Sequence, residues 1–232
     1  MTVFDTDSIL PPAPEGAVPV LHNREYRVQS YRSADDRLLV QAALRDQRPP
    51  GLSIPGDPNP LTVHHMTVEI EVTMPKLEIV AARTNIAVHP HNTCTNIVER
   101  YDALIGLSIA RGFTHEIREL FGGPRGCTHT TALLQAMAPV AVQSRIGHRA
   151  ATAIANGEPH PLEDDSNSRR FRHLTNTCHV WAEDGAMMAE VQVAGAREPM
   201  LTVRRRLDEL GLDSRGRPLN DGHNVHCEDE KP

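Results

Sequence analysis

The stretch Val63-His64-His65-Met66-Thr67-Val68-Glu69-Ile70-Glu71-Val72-Thr73 decides the fold. From Met66 onward, apolar residues alternate with polar ones at every second position. This alternation is typical of a β-strand that buries one face and exposes the other. The stretch therefore predicts one strand of a half-buried sheet.

The sequence on either side of this strand predicts its neighbours in the sheet. Residues 24–46 alternate partially around Ser33-Ala-Asp-Asp, which indicates a β-hairpin. Residues 48–60 contain five prolines and two glycines, so they form a loop that could act as a flap. Residues 76–88 predict one or two further strands, which would complete an antiparallel meander.

The second half of the chain predicts mainly helices. Apolar spacing favours an amphipathic helix from Thr95 or Asn96 to Gly112, a short helix over 115–121, and a third over 128–146 that Pro139 should kink or split. We expect a loop over 151–170, a β-hairpin over 175–196 that turns at residues 183–185, and a closing helix over 204–212. This order predicts an α+β fold, with an antiparallel sheet of about five to seven strands and helices on one face.

The domain organisation predicted from composition is simple. A flexible segment over 1–20 precedes a single α+β domain over 21–212, and a flexible acidic tail follows over 213–232. The chain of 232 residues is long enough to bury a core without disulfides or structural metal.

Charge and composition exclude several classes of function. The net charge is -6, so we expect no nucleic-acid partner. No apolar run approaches the roughly 20 residues of a membrane span, and the start lacks the features of a secretory signal, so we expect a cytoplasmic protein. The four cysteines are too widely spaced for a disulfide framework. The chain contains thirteen histidines but only four Phe, three Tyr and one Trp, so its high histidine content needs an explanation.

Two of the cysteines stand at predicted helix starts, where unpaired amides and the helix dipole favour an anion. Cys94 precedes the first helix, and Cys127 opens the third within Gly126-Cys127-Thr128-His129. His64 and His65 begin the deciding strand. Thiolates and imidazoles together suit zinc, or iron in a cluster, far better than magnesium or calcium. Two other interpretations stay open: the zinc could be structural, or the cysteines could pack in the core without any metal.

These residues carry two family resemblances. His64-His65, the segment from Cys94 to Leu107, Gly112-Phe113 and the Gly126-Cys127-Thr128-His129 motif resemble a bacterial domain family of unknown function over about residues 20–195. More faintly, residues 62–143 resemble iron-sulfur scaffold proteins of the NifU/IscU type. That second resemblance implies a NifU/IscU-like middle portion, with Cys94, Cys127 and His64 at ligand positions. The scaffolds' first cysteine falls on Thr62, so one cluster ligand is missing.

We therefore expect a metal-dependent enzyme, with zinc as the cofactor, that hydrolyses a small organic molecule or cleaves it by a lyase-type reaction. His64, Cys94 and Cys127 would hold the ion, and three ligands would leave an open position for water or substrate. His129, His65 or His179 would move the proton, while Cys178 and Trp181 would contact the substrate. The alternative is a non-enzymatic carrier or scaffold of zinc or an iron-sulfur cluster. A homo-oligomer stays open.

Overall fold

Four strands form one antiparallel sheet in the order β1-β2-β3-β4. They are β1 (Asn23–Ala34), β2 (Arg37–Arg48), β3 (Leu61–Thr73) and β4 (Ile79–Val88). The computed structural model describes residues 9–17, 20–161, 174–194 and 200–219. The chain divides into two compact units, Met1–Ala151 and Thr152–Pro232, and the sheet belongs to the first. The predicted domain boundaries at residues 20 and 212 stay predictions.

The predicted hairpin, proline-rich loop and deciding strand are all confirmed. The register pairs Val40 of β2 with Ile70 of β3, so the apolar residues of both strands share one face. One irregularity interrupts this pairing, because Asp46 pairs with His64 whereas the next residue, Gln47, pairs with Thr62. Val63 is the extra residue of this β-bulge. Bulges re-aim neighbouring side chains and are frequent beside functional sites.

The core lies between one face of the sheet and the helices of the first unit. Its buried sheet residues alternate along β2 and β3, and its buried helical residues include Tyr101, Ile117 and Leu133. The opposite face of the sheet is polar and carries cross-strand contacts such as Arg45 with Glu25 and Gln41 with Glu69. The α+β class with helices on one face is confirmed.

The helix predicted from residue 95 to Gly112 is wrong in type and in both ends. The structure has a 3₁₀ helix over Asn92–Leu104 instead. The backbone that follows is hydrogen-bonded to the start of β4, since Gly106 N donates to Ile79 O at 2.8 Å and Ile79 N donates to Leu107 O at 2.9 Å. Backbone groups engaged with a strand cannot also continue a helix.

The next two helices are confirmed with shifted ends. The first, α1, spans Phe113–Phe121, and the second, α2, spans Thr128–Asn156. Pro139 lies inside α2 and does not split it. The helix therefore runs ten residues beyond the predicted end and takes up the first part of the predicted loop. Of that loop, residues 162–170 lie outside the described part of the chain.

The β-hairpin predicted over 175–196 is wrong. A short 3₁₀ helix over His179–Trp181 is followed by α3 (Ala186–Ala194). Alanine, methionine and glutamate in α3 are strong helix formers, and they outweigh the weak alternation of its valines. The predicted closing helix is present as α4 (Leu201–Glu209). Without the hairpin, the described ranges contain four strands rather than five to seven.

No helix within the described ranges combines the length and the apolar character that crossing a membrane requires. Most of the predicted tail, from residue 220 onward, lies outside those ranges.

Candidate metal centre

A carboxylate ends the apolar stripe of β2. Leu38, Val40, Ala42 and Leu44 are buried on the core side of the strand, and the next position in phase is Asp46, with 1% of its surface exposed. A buried charge is costly unless other groups compensate it. The partners of Asp46 therefore define the site.

The two flanking strands supply the first partners of Asp46. The register places Arg24 of β1 and His64 of β3 on either side of it, in one row across the sheet. Arg24 donates two hydrogen bonds, from Nε to Oδ1 at 2.6 Å and from Nη2 to Oδ2 at 2.7 Å. His64 Nδ1 lies 3.1 Å from Oδ2. His22, just before β1, approaches Oδ1 with Nε2 at 3.4 Å.

The first turn of α2 brings His129 over this row. Its Nε2 lies 3.4 Å from Asp46 Oδ2, and its ring stacks on that of His64 with centroids 3.9 Å apart. Its other nitrogen, Nδ1, lies 3.7 Å from the Sγ of Cys127. His64 and His129 are partly exposed, at 18% and 21% of their side chains. Solvent therefore reaches the two imidazoles but hardly reaches the carboxylate.

Two neighbours fix the start of α2. The buried hydroxyl of Tyr101 accepts a hydrogen bond from the Cys127 backbone N–H at 2.9 Å. Gly126 leaves no room for a side chain, since a Cβ there would lie 2.5 Å from the carbonyl oxygen of Phe121. The Gly126-Cys127 pair thus sets where His129 enters the site.

The electrostatics of the group favour an ionised carboxylate and a neutral imidazole. Burial would raise the pKa of Asp46, but hydrogen bonds and charge from Arg24 outweigh it and lower this pKa to about 2. Burial lowers the pKa of His129, and positive charge on His64 and Arg24 lowers it further, against the opposing pull of Asp46. A neutral imidazole has a free lone pair on one nitrogen, which metal binding requires.

Asp46, His64 and His129 form a group that could hold a metal ion. Each offers one ligand atom, and the three atoms lie within 4.8 Å of one another. Ligands at 2.0 to 2.1 Å from a tetrahedral zinc ion are separated by roughly 3.3 Å. The distances of 3.1 and 3.4 Å from Asp46 Oδ2 to the two imidazole nitrogens are close to that separation. The donor set and its spacing are therefore those of a group that could bind a metal ion.

Three of the residues singled out in the sequence come together here, namely His64, Cys127 and His129. His65 points to the opposite face of β3, where its register partners are Arg45 and Val88. Cys94 lies at the start of the 3₁₀ helix, half-buried against the core, and is not part of the group.

The predicted residues of the later segment, Cys178, His179 and Trp181, lie in the second compact unit. Cys178 is exposed there, and His179 and Trp181 belong to the short 3₁₀ helix. Their assigned roles stay predictions, as do those of His65 and Cys94.

Sequence reasoning missed Asp46, Arg24 and His22. Asp46 had a readable signal, because it continues the period-two apolar series of β2 and so replaces an aliphatic residue on the core face. His64 continues the series of β3 in the same way. A charged residue in phase with a buried face is the pattern that would have found this site.

Comparison with known proteins gives one match. The family model described as "Protein of unknown function (DUF2889)" matches residues 22–143, which is 122 of the 232 residues. The chain belongs to the DUF2889 family. No curated protein and no solved structure matches it. The DUF2889 region begins at His22 and contains all of Arg24, Asp46, His64 and His129, so the whole candidate centre lies inside it.

Membership in DUF2889 bears out the expected resemblance to a family of unknown function. The match covers a shorter stretch than the predicted residues 20–195. The Gly-Cys-Thr-His motif as the mark of this family, and the likeness of the middle portion to NifU/IscU scaffolds, stay predictions.

Proposed function

We propose that this protein is a metal-dependent enzyme, with zinc as the metal, that acts on a small organic molecule by hydrolysis or lyase-type cleavage. Asp46, His64 and His129 would be the ligands. The observation that carries this proposal is the convergence of Oδ2, Nδ1 and Nε2 of these residues at ligand spacing.

The crowding of Asp46 Oδ2 supports a cation at this point. A carboxylate oxygen has two lone pairs, yet Oδ2 faces Arg24 Nη2 at 2.7 Å and both imidazole nitrogens. The guanidinium is always a donor, so at most one imidazole can also donate well. An imidazole nitrogen without a proton would repel the carboxylate oxygen. A metal ion between them converts that repulsion into two ligand bonds.

Three protein ligands suit catalysis better than a structural role. Structural zinc sites are usually closed by four protein ligands, whereas catalytic zinc keeps a position for water or substrate. Bound zinc lowers the pKa of its water and polarises a substrate oxygen. His22, with 47% of its side chain exposed, lies 3.4 Å from Asp46 Oδ1 and is placed to carry a proton between the site and solvent.

Charge within the group favours a substrate with an oxyanion or a polarised carbonyl. The negative charge of Asp46 is already balanced by Arg24, to which it is bound through both oxygens. A divalent ion would therefore leave the site with about two uncompensated positive charges. Such a field stabilises negative charge that develops on oxygen during hydrolysis or carbon–carbon cleavage.

The iron-sulfur carrier alternative has less support. Cluster irons are held chiefly by cysteine thiolates, whereas the converging donors are two imidazoles and one carboxylate. A carrier of zinc would bind the metal at the same residues, so turnover and not metal content distinguishes it from an enzyme.

One contact favours a second candidate, a metal-free thiol enzyme. Cys127 Sγ, His129 and Asp46 follow one another at 3.7 and 3.4 Å, in the order nucleophile, base and orienting acid. In that enzyme His129 Nε2 would donate a proton to Asp46 instead of binding metal. The two candidates therefore make opposite demands on the same nitrogen.

Metal analysis of the full chain, purified without chelator, tests the proposal. We expect about one zinc per chain in the wild type, and less than a tenth of that in Asp46→Asn, His64→Ala and His129→Ala. His65→Ala is the matched control, because it removes an imidazole from the next position of the same strand but from the opposite face. Circular dichroism would confirm that each variant is folded.

Hydrolysis of p-nitrophenyl acetate provides an activity readout. The zinc-loaded wild type should accelerate it, and removal of the metal with a chelator should abolish the acceleration. Absence of zinc from the wild type, both as purified and after zinc addition and dialysis, would overturn the metal proposal. Activity that survives the chelator but is lost on alkylation of Cys127 would favour the thiol enzyme, and zinc binding without turnover would favour a carrier.

A further inference from the structure

Cys127 lies beside His129 but on the far side of its imidazole from Asp46. The contact of 3.7 Å runs from Cys127 Sγ to His129 Nδ1, whereas the nitrogen that faces Asp46 is Nε2. The two nitrogens of an imidazole point away from each other in the plane of the ring. An ion held by Asp46, His64 and His129 Nε2 is therefore separated from the thiol by the width of the ring.

The position of this thiol is fixed by the backbone around it. The N–H of Cys127 donates to the hydroxyl of Tyr101 at 2.9 Å, and its carbonyl accepts from Thr131 N at 2.9 Å in the first turn of α2. Tyr101 has only 1% of its surface exposed and stacks on Phe121 with ring centroids 4.6 Å apart. Cys127 is thus held by the core itself, not by a loop.

We propose that Cys127 is a positioning residue, which accepts a hydrogen bond from His129 Nδ1–H and so presents the bare Nε2 to the metal. This inference rests on the proposed metal centre. A neutral imidazole carries its proton on one nitrogen, and a hydrogen bond to that nitrogen decides which one remains free for a metal. Histidine ligands of metal ions are almost always oriented by such a partner on their other nitrogen.

This assignment differs from a direct thiolate ligand, which the sequence had suggested for Cys127. A direct bond to zinc would require Sγ within about 2.3 Å of the ion. Cys127 could approach that closely only by leaving its place beside His129 Nδ1. In the structure, the Cys127 thiol contacts Nδ1 of His129, which is the nitrogen that faces away from Asp46.

Cobalt substitution separates the two roles of the thiol. Cobalt(II) bound by a thiolate shows an intense sulfur-to-cobalt charge-transfer band in the near ultraviolet, and cobalt bound by imidazole and carboxylate does not. We expect the cobalt-loaded wild type to show visible d–d bands without that charge-transfer band. A charge-transfer band that disappears in Cys127→Ala would overturn the inference while leaving the metal centre intact.

The zinc affinity of Cys127 variants measures how much the thiol contributes to metal binding. Removal of the hydrogen-bond partner on the other nitrogen of a ligating histidine weakens metal binding about 10- to 100-fold. We expect a loss of this size in Cys127→Ala. Cys127→Ser retains an acceptor and should recover most of the affinity. Cys94→Ala is the matched control, since it removes the other half-buried thiol of the first unit without touching the group. Equal affinity in wild type and Cys127→Ala would refute the positioning role.

The imidazole ¹⁵N shifts of the zinc-loaded wild type provide a readout that needs no variant. We expect His129 to show a protonated Nδ1 and a metal-bound Nε2. The reverse assignment would overturn the inference. A wild type that binds neither zinc nor cobalt would instead refute the proposed function, and the positioning role would fall with it.

Discussion

The pair formed by Arg24 and Asp46 gives the sharpest prediction about the metal-free protein. Arg24→Gln leaves a carboxylate with 1% exposure without its guanidinium partner, whereas Asp46→Asn removes the charge and frees an arginine that is already 36% exposed. Removing the guanidinium is the more costly way to break this ion pair, because it leaves the buried carboxylate charge without its partner. We therefore expect Arg24→Gln to be the more destabilising of the two.

The magnitude follows from the pKa of Asp46. Its folded value of about 2 lies below the reference value of 3.8, and each unit of difference corresponds to about 1.4 kcal/mol, so the ionised carboxylate stabilises the fold by about 2 kcal/mol. Because the folded pKa is the lower one, this contribution is complete above about pH 4. It is lost as the pH falls through about 2.

A double-mutant cycle of Arg24→Gln and Asp46→Asn would test this value. Urea unfolding, followed by far-ultraviolet circular dichroism with chelator present, should give a coupling energy of about 2 kcal/mol at pH 7. The coupling should shrink steadily as the pH approaches 2. A coupling near zero at pH 7, or one that does not change with pH, would refute the electrostatic account of how Asp46 is held.

Two further predictions concern other parts of the molecule. Gly126→Ala should lower the unfolding free energy by about 1–3 kcal/mol, because its Cβ would clash with Phe121. Gly147→Ala should instead raise the unfolding free energy by up to about 1 kcal/mol, because a Cβ at this position inside α2 meets nothing within 4 Å. Thermal unfolding of both variants measures the two changes, and the opposite sign for either would contradict its prediction. Hydrogen bonds from Arg217 lower the pKa of Asp213 to about 2. An NMR titration of the Asp213 carboxyl carbon should therefore have its midpoint near pH 2, and this midpoint should move towards 3.8 in Arg217→Gln. An unchanged midpoint in the variant would contradict the pairing.

Local sequence patterns predicted the strand β3 and the helices α1 and α2. The alternation in β3 gave its bounds within two residues, and the helix formers and glycines around α1 and α2 placed both starts within two residues. The hairpin predicted over 175–196 was a local error, because the helix formers of α3 outweigh the alternation of its valines. The error after Leu104 arises because another part of the chain decides the structure there. The segment after Leu104 pairs with β4 instead of continuing a helix, which no property of that segment alone reveals.

The candidate site was predicted only in part for the same reason. His64, Cys127 and His129 were found because histidine and cysteine suggest metal chemistry wherever they occur. Asp46 stands in phase with the buried face of β2, which is a readable signal, but its pairing with Arg24 and His64 appears only when the register places the three residues in one row. A register between distant strands is not readable from one sequence without the positions of its bulges.

The core and the candidate site are specified by the same register. Shifting β2 by one residue would turn its aliphatic residues to solvent and would bring Arg45 or Gln47, instead of Asp46, to the face that α2 covers. Burial of Leu44 and Val40 against the helices therefore selects the face of β2 that also carries Asp46, and the observed register places Asp46 between Arg24 and His64. The hydrophobic burial that fixes this face thus also orients the carboxylate, and a metal would bind to a carboxylate that the fold has already oriented.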